Sequence, residues 1–129
     1  MLDTNTVSHL IRGHAAVARR VVRVPMASLC ISAIAKGELL FGLAKRAGAT
    51  RLHAAVTAIP RGVDILAWNS DAADRYGPVR ADLERRGREL WPLDLLIAAH
   101  AVSAGAVLVT SDGTYAQVAN LTLDDWTKP

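Results

Sequence analysis

Trp91-Pro92-Leu93-Asp94-Leu95-Leu96-Ile97-Ala98-Ala99-His100-Ala101 decides the reading of this chain. Pro92 marks the first turn of a helix, where a missing N–H costs nothing because that donor has no intrahelical acceptor. Leu95 to Val102 place apolar residues on nearly every side of the helix, so more than one neighbour must cover it. Asp94 is the only charge in the run. A carboxylate in the first turn is favoured by the helix dipole, by a few tenths to about 1 kcal/mol. The other reason to keep an acid there is a cation held among several acids. The rest of the chain has to choose between these two.

Downstream, Gly105 ends the helix and Ala106-Val107-Leu108-Val109 reads as an apolar strand. Thr110-Ser111-Asp112-Gly113 is a polar turn at its carboxyl end, and Leu121 to Leu123 reads as a last strand. Upstream, Ser70 is expected to cap a helix running to about Arg86, with Ala73, Tyr76, Val79, Arg80 and Leu83 on its inner stripe, and Gly87 stops it. Val63 to Ala67 reads as a strand after a helix spanning roughly Thr50 to Ile59. Met26 to Ile31 reads as a buried strand, followed by a helix capped by Ser32 and reaching about Ala47. On that helix Ile34, Glu38 and Phe41 share one face at i, i+4 and i+7, which puts Glu38 on an apolar stripe. Met1 and Leu2 look like the end of a strand, Asp3 stands where it stops, and Thr4, Asn5 and Thr6 supply cap chemistry. Val7, Leu10 and Ile11 then follow at helical spacing. Gly13 breaks that helix, and a second carries Val17, Val21 and Val22 towards Pro25. Strands alternating with helices predict an α/β fold, a three-layer α/β/α sandwich around a mainly parallel sheet. Residues 1–129 read as one domain without repeat or linker.

Composition narrows the class. An apolar fraction of 51% with 21% charged residues is that of a globular protein. No run approaches the roughly 18 apolar residues of a membrane span. Met1-Leu2-Asp3-Thr4-Asn5 has an acid where a secretory signal needs basic and apolar stretches, so a cytoplasmic location is expected. The lone Cys30 excludes an internal disulfide. His9, His14, His53 and His100 are scattered, which argues against a zinc site and against hydrogen-bonded histidines. A net charge of +3 permits an anionic partner without requiring one. Arg12, Lys36, Lys45, Arg46, Arg85, Arg86 and Arg88 are the candidates to guide such a partner; a solvated surface is the plainer explanation of each.

Ligands of open parallel sheets bind beyond the carboxyl ends of the strands. Asp3 and Asp112 follow strands, Glu38 lies two turns into the helix after one, and Asp94 opens a helix. All four can therefore face one rim. Converging carboxylates repel one another unless protons or cations sit among them. All-oxygen ligands select hard cations, Mg²⁺ or Mn²⁺. Such a centre suits phosphodiester hydrolysis. Each acid also has a plainer reading: Asp3 and Asp112 as turn residues, Glu38 as a surface acid.

Three groups of residues carry a resemblance. They are Met1-Leu2-Asp3-Thr4-Asn5; Ile31-Ser32-Ala33-Ile34 leading to Gly37-Glu38-Leu39; and Tyr76-Gly77-Pro78-Val79-Arg80-Ala81 with Leu83-Glu84-Arg85-Arg86-Gly87. They are joined by Pro92 to Ala101, Leu108-Val109-Thr110-Ser111-Asp112 and Leu123-Asp124-Asp125-Trp126. With them the chain resembles PIN-domain ribonucleases, and among these the VapC toxins of bacterial toxin–antitoxin pairs. The resemblance implies an acidic quartet at Asp3, Glu38, Asp94 and Asp112, with Asn5 and Thr110 as polar residues beside the metal. It further implies Mg²⁺- or Mn²⁺-dependent cleavage of RNA, a tRNA or a ribosomal RNA, leaving 5′-phosphate and 3′-hydroxyl ends. A VapB-type antitoxin and homodimerisation complete the expectation. Leu39, Leu40, Leu43 and Leu52 have few ways to be buried in one small domain, which also points to a dimer. Trp91 departs from the family, which usually has a small residue there; a ring can narrow the groove or stack a base.

Three alternatives stay open at this stage. Asp3-Thr4-Asn5-Thr6 is close to the nucleophile motif of haloacid-dehalogenase-like phosphatases, although the second Asp is Asn5 here. A PIN fold can also serve as a binding scaffold without catalysis, or as an RNA-processing nuclease without an antitoxin.

Overall fold

The computed structural model describes residues 1–129. Four short strands, β1 (Cys30–Ser32), β2 (Asp64–Leu66), β3 (Leu108–Val109) and β4 (Leu123–Asp124), pair in parallel as β1 with β2 and β3 with β4. Leu2 joins the two pairs: it bridges Ile31 on one side and Val109 on the other. The order across the sheet is therefore β2, β1, Leu2, β3, β4. The seam is closed by Leu2 N–H donating to Cys30 O and Val109 N–H donating to Met1 O, both at 2.8 Å.

Side chains alternate across this sheet, and the alternation sorts the core into two layers. Met1, Cys30, Leu66, Leu108 and Leu123 face one side, where α5 (Ser70–Arg85) and α6 (Pro92–Ala104) supply Leu83, Leu95, Ile97, Ala98 and Ala101. Leu2, Ile31, Ile65 and Val109 face the other, against Val7 of α1 (Thr4–Ile11), Val17 of α2 (Ala15–Val21) and Val56 of α4 (Thr50–Ala58). The helix α3 (Ala33–Ala44) reaches both layers, through Ala35 on the first and Leu39 and Leu43 on the second. The three-layer expectation holds. So does the expectation for α6: Leu95 and the run Ile97 to Ala101 are all buried. The helix ends at Gly105 with φ +60°, a left-handed position that costs glycine little. No helix is long and apolar enough to cross a membrane.

Several local expectations change. The strand predicted from Met26 starts only at Cys30, because Pro25 opens a 3-10 turn over Met26–Ser28 and the Ser28 hydroxyl donates back to Pro25 O at 2.6 Å. The inner face of α3 is Ala35, Leu39 and Leu43, not Ile34, Glu38 and Phe41. Phe41 is exposed and Lys45 lies over its ring at 5.0 Å, so the stripe is rotated by one residue. On α5 the buried positions are Ala72 and Leu83, with Tyr76 and Val79 half-buried, while Ala73 and Arg80 face out. The α5 cap is Asn69, whose side chain accepts from Ala72 N–H, and Ser70 is already helical. Likewise Asp3, not Thr4 to Thr6, caps α1.

Two further corrections concern surfaces. Leu39 and Leu43 are buried within the chain and Leu52 is half-buried, which leaves Leu40 as the exposed leucine of the four. Folding of the single chain therefore covers Leu39 and Leu43 without a second copy. The histidines are not all idle: buried His100 on α6 meets the Ser32 hydroxyl at 2.8 Å, and Ser32 also caps α3 by accepting from Ile34 N–H at 3.1 Å. That link ties α6 to the start of α3. Scattering along the sequence says nothing about such pairs, because folding brings together residues 68 positions apart.

Candidate functional site

Asp3 sits where the first extended residues give way to α1. Its N–H donates to Val109 O at 3.1 Å and its Oδ1 accepts from Thr6 N–H at 2.7 Å. The Thr6 hydroxyl donates to the same Val109 carbonyl. Asp3 is thus buried and held by both the sheet and its own helix. Glu38 comes from the half-buried flank of α3, where its Oε1 accepts from the Thr4 hydroxyl at 2.8 Å. Asp94 is the third residue of α6, half-buried, with no capping bond from the Trp91 side chain. Asp112 follows β3; its Oδ1 accepts from both the N–H and the hydroxyl of Thr114, at 2.9 and 2.8 Å.

These four acids come from four separate parts of the chain and line one cavity of about 470 Å³. The other lining residues are Thr4, Asn5, Trp91, Pro92, Leu93 and Tyr115. The lining has four carboxylates and no Lys, Arg or His. The mutual repulsion registers on Asp94. Its carboxyl is pushed above the ordinary aspartate range, first by burial and then by the charges of Asp112, Glu38 and Asp3, while the facing Tyr115 hydroxyl works the other way. Tyr115 is itself raised, by burial and then by Asp94. Either a proton or a cation must offset such a cluster.

The donor chemistry fits a hard divalent cation: oxygen ligands only, in an open site with room for water. No three of the acids are already drawn together as a ligand cage. Oxygens of Asp3, Glu38 and Asp112 are instead engaged by Thr6, Thr4 and Thr114, which orients each carboxylate towards the cavity rim.

Of the two supporting residues expected from the sequence, Asn5 lines the cavity and Thr110 does not. Thr110 is buried behind it, where its hydroxyl accepts from Asp112 N–H at 3.0 Å. It shapes the Asp112 turn. Sequence reasoning missed Thr4 and Tyr115. Thr4 passed as generic cap chemistry. Tyr115 lies in a 3-10 turn over Gly113–Gln117, a stretch with no periodic apolar signal to mark it as buried.

A second groove of about 300 Å³ shares Thr4 and Glu38 with the first. Arg12, Lys45 and Arg46 line it over a floor of Ile11, Leu39, Leu52 and Val56. The other basic candidates lie elsewhere. Arg85 and Arg86 pair with Asp82, Lys36 borders an apolar cavity against Ile65, and Arg88 lies beside Glu84 and Leu90. Trp91, 79% exposed, lines the acid cavity and not this second groove.

Residues 1–121 match the PIN domain family. The chain is 33% identical to the tRNA(fMet)-specific endonuclease VapC of Shigella flexneri, over 98% of this chain and 96% of that protein. Among solved structures, VapBC2 from Rickettsia felis bound to a DNA fragment from its promoter superposes with a TM-score of 0.91 at 27% identity, covering 98% of this chain and 97% of the other. DNA-bound VapBC from Salmonella typhimurium gives 0.90 at 32% identity, over 98% and 96%.

Proposed function

This chain belongs to the PIN-domain family and, within it, to the VapC ribonucleases, and on that premise we propose that it is the endoribonuclease toxin of a type II toxin–antitoxin pair. It hydrolyses RNA phosphodiester bonds, in a tRNA or a ribosomal RNA, and so inhibits translation. The observation that carries the reading is the cavity walled by Asp3, Glu38, Asp94 and Asp112 with no basic residue in its lining. Family membership removes the phosphatase alternative, and the cavity's full set of acids argues against a scaffold without catalysis. A VapB-type antitoxin is the partner, supported by solved neighbours that are themselves VapBC complexes. That support favours a toxin over an RNA-processing nuclease without antitoxin. Residues 1–129 act as one domain, in the cytoplasm where RNA and antitoxin are. A homodimer remains part of the proposal, now on the exposed Leu40 and Phe41 of α3.

Asp3, Glu38, Asp94 and Asp112 would hold Mg²⁺ or Mn²⁺. Such an ion acidifies a water and offsets charge growing on the phosphoryl oxygens. The protein's own part is placement. Thr4 and Thr6 fix the acids nearest α1, Thr110 and Thr114 fix Asp112, and the Tyr115 ring walls one side of the cavity. Asn5, exposed at the rim, offers an amide to substrate or water. Arg12, Lys45 and Arg46 continue from the acids as a track for RNA phosphates.

The test is RNA cleavage by purified, antitoxin-free protein. Wild type should cleave with Mg²⁺ and stop in EDTA, and Asp94→Asn should be folded and inactive. Asp112→Asn keeps the turn chemistry with Thr114 and should need more Mg²⁺ for half-maximal rate. Full activity of folded Asp94→Asn would overturn the metal role of these acids.

A further inference from the structure

We propose that Trp91 is a stacking platform for one unpaired nucleobase beside the scissile phosphate, so that the enzyme selects single-stranded or looped RNA. The inference rests on the RNA-cleaving reading above.

The chain has three tryptophans, and two have internal duties. Trp68 is half-buried, donates from Nε1 to Leu96 O at 2.9 Å and meets the Tyr76 ring edge-on. Trp126 is buried, donates to Asp124 at 2.9 Å and lies under Arg20. The Trp91 indole has neither a hydrogen bond nor an aromatic partner, and 79% of the residue faces solvent. An indole offers a broad apolar face with an N–H at its edge, the form enriched at contact surfaces.

Its backbone, in contrast, is fixed. Trp91 is the residue before α6, and its carbonyl accepts the first helical bond, from Leu95 N–H at 2.9 Å. Pro92 restricts the preceding residue to extended geometry, and Trp91 has ψ 144°. The ring therefore projects from a rigid mount three residues before Asp94, on the wall of the cavity that holds the acids. Leu93, 44% exposed, widens the apolar shelf. Every base has a π-face, so such a shelf holds a splayed base of any identity, whereas a base inside a duplex cannot reach it. The basic groove meets the acid cavity at Thr4 and Glu38, and Trp91 lines the acid cavity alone, so base platform and phosphate track are separate parts of one continuous surface.

Binding of a dye-labelled single-stranded oligoadenylate to the EDTA-treated protein, read by the dye's fluorescence anisotropy so that it works equally in variants without Trp91, tests this without relying on cleavage. In wild type the indole emission should also be quenched, because Trp68 and Trp126 are sheltered. Trp91→Ala should weaken binding by roughly 5- to 100-fold, and Trp91→Phe should recover most of it. In cleavage of an RNA stem–loop, the loss in Trp91→Ala should appear mainly in KM. An abasic site at the contacted loop position should cost wild type the same factor and cost Trp91→Ala nothing more. Equal binding by Trp91→Ala and wild type, equal behaviour of Phe and Ala, or equal binding of duplex and single strands would overturn the proposal. If wild type bound and quenched yet failed to cleave any RNA with Mg²⁺, the nuclease reading would fall instead.

Discussion

Removing the Thr4 hydroxyl is the sharpest test of how the acids are held. Thr4→Val keeps the shape of the side chain and deletes one donor, the 2.8 Å bond to Glu38 Oε1. A hydrogen bond to a charged group is worth about 1.5–3 kcal/mol when sheltered. Both partners are half-buried at the edge of an open cavity, so solvent screens the bond and about 1 kcal/mol is the fair figure. Without it Glu38 regains rotamers that point away from Asp3 and Asp94. If that energy falls on cation binding, affinity drops about fivefold, since 1.4 kcal/mol is tenfold. Fold stability should change little, because Thr4 is a first-turn residue and Asp3 still caps the helix. Calorimetric titration with Mn²⁺ reads the affinity directly, and a Mg²⁺ titration of cleavage reads it through rate. Thr4→Ser should restore both. An unchanged Mn²⁺ affinity in Thr4→Val, with Tm intact, would show that Glu38 needs no such support or does not hold the cation.

Two more expectations follow from the charges. The Asp94 carboxyl is raised by burial and by the neighbouring acids, so the folded state holds its proton more tightly than the unfolded chain does. Its contribution is then stabilising below the ordinary aspartate range, declines as pH rises from there to the raised folded value, and remains a cost at neutral pH. In metal-free protein the Tm difference between Asp94→Asn and wild type should favour the mutant at pH 7 and shrink on acidification towards pH 4, measured by thermal melts across pH; a difference independent of pH would refute it. For the phosphate track, Arg12→Gln, Lys45→Gln and Arg46→Gln combined should weaken RNA binding and flatten the salt dependence. The slope of log K against log salt should fall by about 2, at roughly 0.7 per phosphate contact for single strands, and an unchanged slope would remove these residues from the RNA path.

Much of the molecule is legible in its sequence. The all-round apolar character of α6, the glycine at 105 and the alternation of strands with helices follow from local rules of burial and backbone freedom, and they hold. Asp3, Glu38, Asp94 and Asp112 could be placed at the carboxyl rim because parallel sheets put loop residues there, whatever their distance in sequence. Helix rotation was not legible to within one residue: Phe41 and Leu39 are equally apolar, and only the neighbours decide which is covered. Polar partners far apart in the chain were not legible either, so Ser32 with His100, and Thr4 with Glu38, came from the fold. The sequence by itself determined which residues are acidic, which segments are helical and what class of fold they build, since those depend on chemistry within a few residues. Only the tertiary structure decided that no basic side chain lines the acid cavity, that Arg12, Lys45 and Arg46 line the groove adjoining it while Arg85 and Arg86 pair with Asp82 elsewhere, and that Trp91 alone of the tryptophans is left open on its wall. Those facts depend on distances between segments, which chain packing sets and no local pattern encodes.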